Sequence, residues 1–338
     1  MSVIKFSDIE HVKIEIQTCH AHRPIVIGMY DHEYHIAINS PEHQIDNYPS
    51  QCNQDIDNEY YISSISFESA HNKFRFACKQ IKPSTDKCKS TNCFICGFKI
   101  GASYKSTLSE WEWYKTIGSN LSIKNKSMLP ILFGIGYCHK LKRYGLILSV
   151  DGVSLNEIIK QQPGKVFNLE TSMTIFYKSI NCISYLHEMD IIHGDIKYGN
   201  IMLNENGTFG LIDFDSTVFY NKLSQDIINS DQNAFYPFRG TPLFASIDAH
   251  QRKLLTKRSD LISLIFCILY GMDKTLLPWN KEDITNVMQM RKQQFLKNID
   301  KYIKSRKFPK QLIEILVYII RLKYHETPNY KHVRALLE

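Results

Sequence analysis

The sequence predicts an α+β fold in two lobes, a β-rich lobe over residues 1–150 and a helical lobe over residues 151–338. Short segments with alternating apolar residues fill the first half, whereas apolar residues recur at three- and four-residue steps in the second half. With 338 residues, of which 43% are hydrophobic, the chain can bury the cores of two domains.

In the first half, alternation and β-branched or aromatic residues predict a series of strands. Two polar stretches, an insert at 40–60 and a cysteine-bearing insert at 83–99, are predicted to be loops. Between them and the second half, Leu108–Ile117 has helical character. The predicted strands cover residues 12–16, 25–27, 34–38, 74–81, 131–135 and 144–150.

In the second half, Asn168 is a suitable cap for a helix whose apolar residues run from Met173 to Leu186. The longest apolar run, Leu261 to Met272, is too short to span a bilayer and predicts a buried helix. Helical patterns continue from there to the end of the sequence.

Composition bounds the compartment and the partners. The 41 Lys and Arg against 34 Asp and Glu give only a mild basic excess, which does not predict nucleic-acid binding. The N-terminus shows no export signal, so we expect an intracellular protein whose nine cysteines are reduced or bound to metal. Cys88, Cys93 and Cys96 have a spacing that permits a structural Zn²⁺, with unligated thiols as the alternative.

The stretch Ile191–Leu203, followed by Ile212–Asp215, carries the chemistry. It reads His-x-Asp-x-Lys-x-x-Asn with a downstream Asp-Phe, which matches a set of kinase motifs in their usual order. Asp195 can orient a hydroxyl nucleophile, Lys197 can neutralise a transferred phosphate, and Asn200 and Asp213 can hold Mg²⁺ on the phosphates of ATP. The residues Asn204–Gly207 predict the turn of a hairpin that brings Asp213 back beside Asp195.

Further nucleotide-binding residues are expected in the first half. Lys79 fits the strand lysine that binds phosphates, and Glu110 fits the carboxylate that holds it. A glycine-poor loop at 27–33 keeps only Gly28, and a second candidate loop at 18–23 has no glycine, so either loop predicts weak nucleotide binding. The backbone of Ser149 and Val150 is expected to meet the adenine edge.

A resemblance narrows the family. The segment Gly240–His250 resembles that of the casein kinase one superfamily, and in particular its vaccinia-related kinase branch. Supporting similarities lie at 108–110, 257–261, 277–279 and 327–330. The resemblance implies a bilobal protein kinase-like fold, serine/threonine protein kinase activity with ATP and Mg²⁺, and a role for Asp260 in holding the catalytic-loop backbone. It also implies protein substrates, some of them DNA-associated, and action in the host cytoplasm or nucleus if viral. We further expect a monomer without membrane attachment.

Two positions depart from the usual kinase pattern and leave alternatives open. Gly194 replaces an arginine that pairs with a phosphorylated activation loop, which predicts activity without that phosphorylation. Asp215 replaces a glycine. A pseudokinase scaffold therefore remains an alternative, as does a small-molecule kinase of the aminoglycoside or choline type. The small-molecule enzymes usually lack the lysine at 197 and the segment 240–250.

Overall fold

A computed structural model describes thirteen parts of the chain, which fall into two compact units. The first unit holds the described residues from 16 to 119 and from 129 to 149, and the second holds Asn120, residues 127–128 and the described residues from 152 onward. The described residues are 16–19, 23–26, 34–39, 60–68, 73–81, 92–120, 127–138, 143–149, 152–204, 206–220, 235–282, 284–304 and 308–338.

The first unit is built from strands and one long helix. Two short strands, β1 and β2, pair with each other, and six longer strands close into a barrel in the order β3-β4-β5-β6-β8-β7. All their pairings are antiparallel. The strands are β1 (Ile16–Cys19), β2 (Arg23–Val26), β3 (Tyr34–Asn39), β4 (Tyr60–Glu68), β5 (Lys73–Ile81), β6 (Asn92–Ile100), β7 (Leu132–Cys138) and β8 (Arg143–Ser149).

Strand β6 corrects the sequence-based prediction of a loop over 83–99. Residues 92–99 pair with β5 and residues 96–100 pair with β8, so β6 is a strand of the barrel with a neighbour on each side. The cysteine spacing suggested a loop, whereas the aromatic and β-branched residues of the run Phe94-Ile95-Cys96-Gly97-Phe98 favour a strand. Strand β4 was not predicted either, because its serines dilute the apolar alternation.

The helix of the first unit, α1 (Tyr104–Asn120), extends beyond the predicted 108–117 at both ends. Trp111, Tyr114 and Ile117 are buried at three-residue steps, as an amphipathic helix requires. Glu110 lies on the same buried face, and a carboxylate is seldom buried without a partner. That partner identifies part of the candidate site below.

The second unit is mainly helical and contains a small sheet. Strand β11 pairs with β9 and β12, and β10 pairs with β13. The strands are β9 (Gly152–Ser154), β10 (Ile191–Ile192), β11 (Ile201–Asn204), β12 (Phe209–Leu211) and β13 (Val218–Phe219). The helices are α2 (Leu155–Gln161), α3 (Leu169–Glu188), α4 (Ile247–His250), α5 (Lys257–Met272), α6 (Thr285–Lys297), α7 (Ile299–Lys304), α8 (Lys310–Arg321) and α9 (Tyr330–Leu337).

The predicted helix signals of this unit are confirmed. The Asn168 side chain caps α3 by accepting the backbone N–H of Thr171 at 2.8 Å. Helix α5 is buried on nearly all sides, which explains why its sequence is apolar without a polar stripe. Within the described residues, no helix is both long enough and apolar enough to cross a membrane.

The hairpin β11–β12 forms where the sequence predicts it. Gly207 has φ of 75°, a left-handed conformation that suits glycine, and its N–H donates to Asn204 O at 2.9 Å. The pairing of Ile201 with Leu211 closes the hairpin immediately before Asp213. The sheet thus fixes the segment that carries the predicted metal ligands.

Candidate active site

The Asp195 carboxylate is the centre of a hydrogen-bond network in the second unit. Its Oδ1 accepts the backbone N–H of Thr241 at 2.7 Å and the Thr241 hydroxyl at 2.8 Å. Its Oδ2 accepts the Lys197 ammonium at 2.7 Å and a longer contact from Asn200 Nδ2 at 3.3 Å. The carboxylate is therefore held in one orientation from both sides.

Lys197 bridges this carboxylate and the segment that begins at Gly240. Its Nζ donates to Asp195 Oδ2 and, at 3.0 Å, to Thr241 Oγ1. The Lys197 side chain keeps 22% of its exposure, against 11% for Asp195, so the ammonium remains accessible to a ligand. A cation in this place can stabilise negative charge that develops next to Asp195.

Asn200 is fixed by its amide nitrogen, which leaves the amide oxygen for another ligand. Asn200 Nδ2 donates to Asp195 O at 2.9 Å, and Asn200 O accepts the N–H of Ile212 at 3.0 Å. Asn200 Oδ1 accepts no hydrogen bond from any residue that the structure describes. Because Ile212 precedes Asp213, the backbone bond ties together the two predicted metal-binding segments. Oxygen ligands of this kind fit Mg²⁺.

The left-handed residue of the second motif is Asp213 rather than Asp215. Asp213 has φ of 71° and ψ of 72°, and it precedes a short 3-10 helix, Phe214–Ser216, that contains Asp215. Asp is among the residues that tolerate this conformation. Asp215 therefore replaces the usual glycine at a position where this chain needs no special backbone freedom.

His193 holds the loop that carries Asp195 in place. Its Nδ1 accepts the backbone N–H of Asp195 at 3.2 Å, so the ring proton lies on Nε2, which donates to Ile212 O at 3.0 Å. The ring also packs against the buried Phe214, with centroids 5.1 Å apart. One imidazole thus links the loop that carries Asp195 to the residue before Asp213.

The predicted role of Asp260 agrees with the geometry. Its two carboxylate oxygens accept the backbone N–H groups of His193 at 2.8 Å and Gly194 at 2.9 Å. Asp260 Oδ2 also accepts Nε2–H of His187 at 2.9 Å, and His187 Nδ1 in turn accepts the hydroxyl of Tyr330. Burial is the main cause that lowers the pKa of His187 below 6.5. The neutral ring therefore relays a contact from α9 to the catalytic loop.

Two glycines allow the loop and the following segment to approach closely. Gly194 has φ of 80°, and a Cβ there would lie 2.4 Å from Ser216 O. Gly240 has φ of 91°, and a Cβ there would lie 2.6 Å from Gly194 O. Any side chain at 194, including the arginine found in many kinases, is therefore sterically incompatible with this loop.

In the first unit, the buried partner of Glu110 is Lys99. Lys99 Nζ lies 2.5 Å and 2.6 Å from the two carboxylate oxygens of Glu110, and both side chains are buried. Strand register places Lys79 opposite Phe94, five residues or about 17 Å along β6 from Lys99. The sequence-based pairing of Lys79 with Glu110 was therefore wrong, and Lys99 takes that position.

Because Lys99 rather than Lys79 pairs with Glu110, the phosphate-binding loop is expected later in the chain, between the two strands that precede β6. The two strands immediately before β6 are β4 and β5, and their connection at 69–72 lies outside the described residues. Its sequence, Ser69-Ala70-His71-Asn72, contains no glycine. Gly28, in the loop proposed from the sequence, also lies outside the described residues, so its role stays a prediction.

Ser149 closes the end of β8. Its N–H donates to Ile131 O at 2.9 Å, and its hydroxyl oxygen accepts Ile131 N–H at 2.7 Å. Because the Ser149 N–H is already engaged in the sheet, it is not available as a donor to adenine. Val150, the other predicted adenine contact, lies outside the described residues.

The described residues give no support to the zinc hypothesis. Cys93 and Cys96 belong to extended β6, where three residues span about 10 Å, so the backbone does not gather them as a loop would. Cys88 lies outside the described residues, and the zinc site stays a prediction.

Comparison with known proteins agrees with this geometry. The profile of the protein kinase domain matches residues 67–335. The chain belongs to the protein kinase family. The match begins within β4 and includes β6, which carries Lys99.

This protein kinase is similar to several poxviral proteins. It is 29% identical over 217 residues to a probable serine/threonine-protein kinase of fowlpox virus (strain NVSL), which covers 62% of this chain and 69% of that one. It is 26% identical over 245 residues to the B1 kinase of vaccinia virus (strain Copenhagen), covering 69% and 77%. A pseudokinase of monkeypox virus is 28% identical over 240 residues, covering 69% and 81%.

A solved structure supports the fold of the kinase. The structure of vaccinia related kinase 3 superposes with a TM-score of 0.64 over 83% of this chain and 86% of the other, at 19% identity. The predicted bilobal kinase fold is thereby confirmed, and the poxviral relatives together with the protein kinase profile confirm the predicted family resemblance.

Sequence reasoning missed three residues that this geometry makes important. Lys99 was hidden in the segment assigned as a cysteine loop, although its position 11 residues before Glu110 at the end of an apolar run was a usable signal. Thr241 was noted only as part of a motif, not as a donor to Asp195. Tyr330 gave no signal of its contact with His187, because the two are far apart in sequence.

Proposed function

We propose that this protein is a serine/threonine protein kinase that transfers the γ-phosphate of ATP to hydroxyl groups of protein substrates. The observation that carries the proposal is the Asp195 carboxylate, held by Thr241 on one oxygen and by Lys197 on the other. Placement of a base, a cation and metal-binding oxygens is what phosphoryl transfer requires of a protein.

Asp195 orients the attacking hydroxyl and accepts its proton. Each carboxylate oxygen accepts about two hydrogen bonds, and Asp195 already has two on each. The weakest is the 3.3 Å contact from Asn200 Nδ2, which also has a shorter bond to Asp195 O. We infer that the substrate hydroxyl replaces this contact and donates to Asp195 Oδ2.

Asn200 and Asp213 are proposed to hold the metal ion. Asn200 Oδ1 fits because it is an amide oxygen without a donor among the described residues, and the carboxylate of Asp213 is a ligand that suits a hard divalent cation. When bound, Mg²⁺ offsets the negative charge of the phosphate oxygens. The chain contributes two oxygen ligands whose backbone is fixed by the Ile212–Asn200 bond.

Two lysines supply positive charge from the protein. Lys197 is proposed to stabilise the phosphoryl group during transfer, because it adjoins Asp195 and remains partly exposed. Lys99, held by Glu110, is proposed to bind the nucleotide phosphates, the role of the strand lysine in kinases. The described contacts do not support the other nucleotide-binding residues that the sequence suggested, which are Lys79, Gly28, Ser149 and Val150.

A pseudokinase scaffold is the second candidate function. One relative of similar identity is named a pseudokinase, and the connection between β4 and β5 has no glycine to bring backbone N–H groups close to phosphate. A small-molecule kinase is disfavoured, because Lys197 and Thr241 of the 240–250 segment both engage Asp195.

We further propose that the protein acts as a monomer, in the host cytoplasm or nucleus if viral. Its proposed protein substrates include DNA-associated ones, as the family resemblance implies.

Transfer of radiolabelled phosphate from [γ-³²P]ATP to casein and to a basic protein, followed by phosphoamino-acid analysis, tests the function. We expect label on serine or threonine and dependence on Mg²⁺. ATP-dependent thermal stabilisation without any transfer would instead support the scaffold, and label only on tyrosine would contradict the serine/threonine assignment.

A further inference from the structure

Lys292 is a fully buried lysine in α6 that contacts the segment following Thr241. Its exposed fraction is 0%, and its Nζ donates to Pro242 O and to Ala245 O, each at 2.6 Å. The third neighbour is His250 Nε2 at 3.1 Å. Among the described residues, no carboxylate pairs with this ammonium, so its charge is balanced only by dipoles and aromatic rings.

Such an arrangement is costly unless every donor of the ammonium is used. Removing an ammonium from water is unfavourable even after relaxation, and burial lowers the pKa of Lys292 well below 10.5. The rings of Phe266 and Trp279 lie 5.3 Å and 5.5 Å from Nζ and add cation–π attraction. The favourable contacts of the ammonium are thus made with the segment 242–245 and with three side chains packed near it, those of His250, Phe266 and Trp279.

His250 completes the site as a neutral acceptor. Its pKa falls to about 4, mainly through burial and then through the charge of Lys292. His250 Nε2 lies 3.1 Å from Lys292 Nζ and 3.3 Å from Pro242 O, so the ring contacts both the lysine and the segment that the lysine binds.

Trp279 fixes the same segment through a separate bond. Its indole N–H donates to Leu243 O at 2.9 Å, and its ring is fully buried against Phe266 and Phe295. Three carbonyls of four consecutive residues, those of 242, 243 and 245, are therefore bound by side chains from outside the segment. The preceding residue, Thr241, is bound to Asp195.

We propose that Lys292 and Trp279 are positioning residues that fix the segment 242–245, so that its half-buried residues Pro242 and Leu243 form the surface that receives the protein substrate beside Asp195. The inference rests on the proposed kinase function. When the hydroxyl that reaches Asp195 belongs to a polypeptide, the residues on either side of it must pass close to the residues that follow Thr241. ATP and water do not need that surface. The two lysine-bound carbonyls and the tryptophan-bound carbonyl thus determine protein binding without touching the substrate.

The test separates protein phosphorylation from ATP hydrolysis in the full-length protein. Lys292→Met keeps the length of the side chain and removes the ammonium, and Lys297→Met, an exposed position on the same helix, is the matched control. For Lys292→Met we expect the KM for casein to rise about tenfold or more, as for loss of charged hydrogen bonds. The KM for ATP and the rate of ATP hydrolysis without casein should change less than about twofold, and Lys297→Met should match wild type.

Trp279→Phe provides a second variant in case Lys292→Met does not fold. It keeps an aromatic ring but removes the donor to Leu243 O and part of the buried ring volume, so we expect the KM for casein to rise about fivefold, with hydrolysis unchanged. An equal loss of hydrolysis and of casein phosphorylation, or an unchanged KM for casein in both variants, would overturn the inference while leaving the kinase function intact. A wild-type protein that transfers no phosphate would overturn the proposed function and the inference with it.

Discussion

At the scale of single residues, the candidate site depends on the hydrogen bonds that the Asp195 carboxylate accepts. Asp195 is held by a hydroxyl, a backbone N–H and an ammonium, and Thr241 supplies two of these three contacts. The same threonine hydroxyl accepts from Lys197. Thr241 therefore couples the proposed base to the proposed phosphate-stabilising cation.

Replacement of Thr241 tests this coupling. Thr241→Ala removes a hydrogen bond to a charged group, which is worth about 1.5–3 kcal/mol, and we expect kcat to fall about 10- to 100-fold. Thr241→Ser keeps the hydroxyl and should remain within a few-fold of wild type. Steady-state kinetics with casein and ATP measures both variants, and equal activity of Ala and Ser variants would show that the hydroxyl is dispensable.

Gly194 provides a residue-scale prediction about stability, with Gly207 as the matched control. Both have positive φ, but a Cβ at 194 meets Ser216 O at 2.4 Å whereas a Cβ at 207 meets nothing within 4 Å. Gly207→Ala should cost only the left-handed strain of about 1–2 kcal/mol, and Gly194→Ala distinctly more. Thermal or denaturant unfolding of the two variants measures the difference, and equal destabilisation would contradict the close approach.

At the scale of elements, the positions that the sequence revealed are those that are local along the chain. Asp195, Lys197 and Asn200 share one short loop, and the turn at 204–207 predicts the return to Asp213, so spacing alone was informative. Lys99 was missed because the spacing of the cysteines predicted a loop where β6 lies. Lys292 was missed because a buried lysine looks like any other charged helix residue until the carbonyls that it binds are known.

Helix α9 is joined to the catalytic loop by the relay through His187 and Asp260, which leads to a prediction. Tyr330→Phe leaves His187 Nδ1 buried without its donor, so unfolding free energy should fall by about 1–3 kcal/mol. Phosphate transfer should also weaken, because Asp260 holds the N–H groups of His193 and Gly194. The control is Tyr177→Phe, whose hydroxyl makes an exposed 3.3 Å contact with Glu338; equal effects in both would refute the relay.

At the scale of the whole molecule, buried neutral histidines make the fold sensitive to acid. Burial is the largest cause that lowers the pKa of His187 below 6.5, and it is the largest cause that lowers that of His250 to about 4. In the unfolded chain these rings protonate near pH 6.5, so the unfolded state binds more protons below that pH. Their contribution to stability is therefore complete above about pH 6.5 and is lost as the pH falls toward 4.

Unfolding measured between pH 7 and pH 5 checks this sign. The free energy of unfolding should decrease on acidification, and His250→Gln, which retains an acceptor for Lys292, should show a shallower decrease than wild type. This range lies above the ordinary pKa of carboxylates, so their titration contributes little. Identical slopes for the variant and the wild type would show that His250 does not titrate as its burial implies.

The central claim is that Asp195 is the base of a phosphoryl transfer performed by this chain. The most direct measurement compares wild type with Asp195→Ala for transfer of the γ-phosphate to casein, with ATP affinity measured in parallel by titration calorimetry. We expect transfer by the wild type, loss of transfer by a factor of about 10³ or more in the variant, and ATP affinity within a few-fold of wild type. Undiminished phosphorylation by Asp195→Ala, or no transfer by a wild type that binds ATP and Mg²⁺, would contradict the claim.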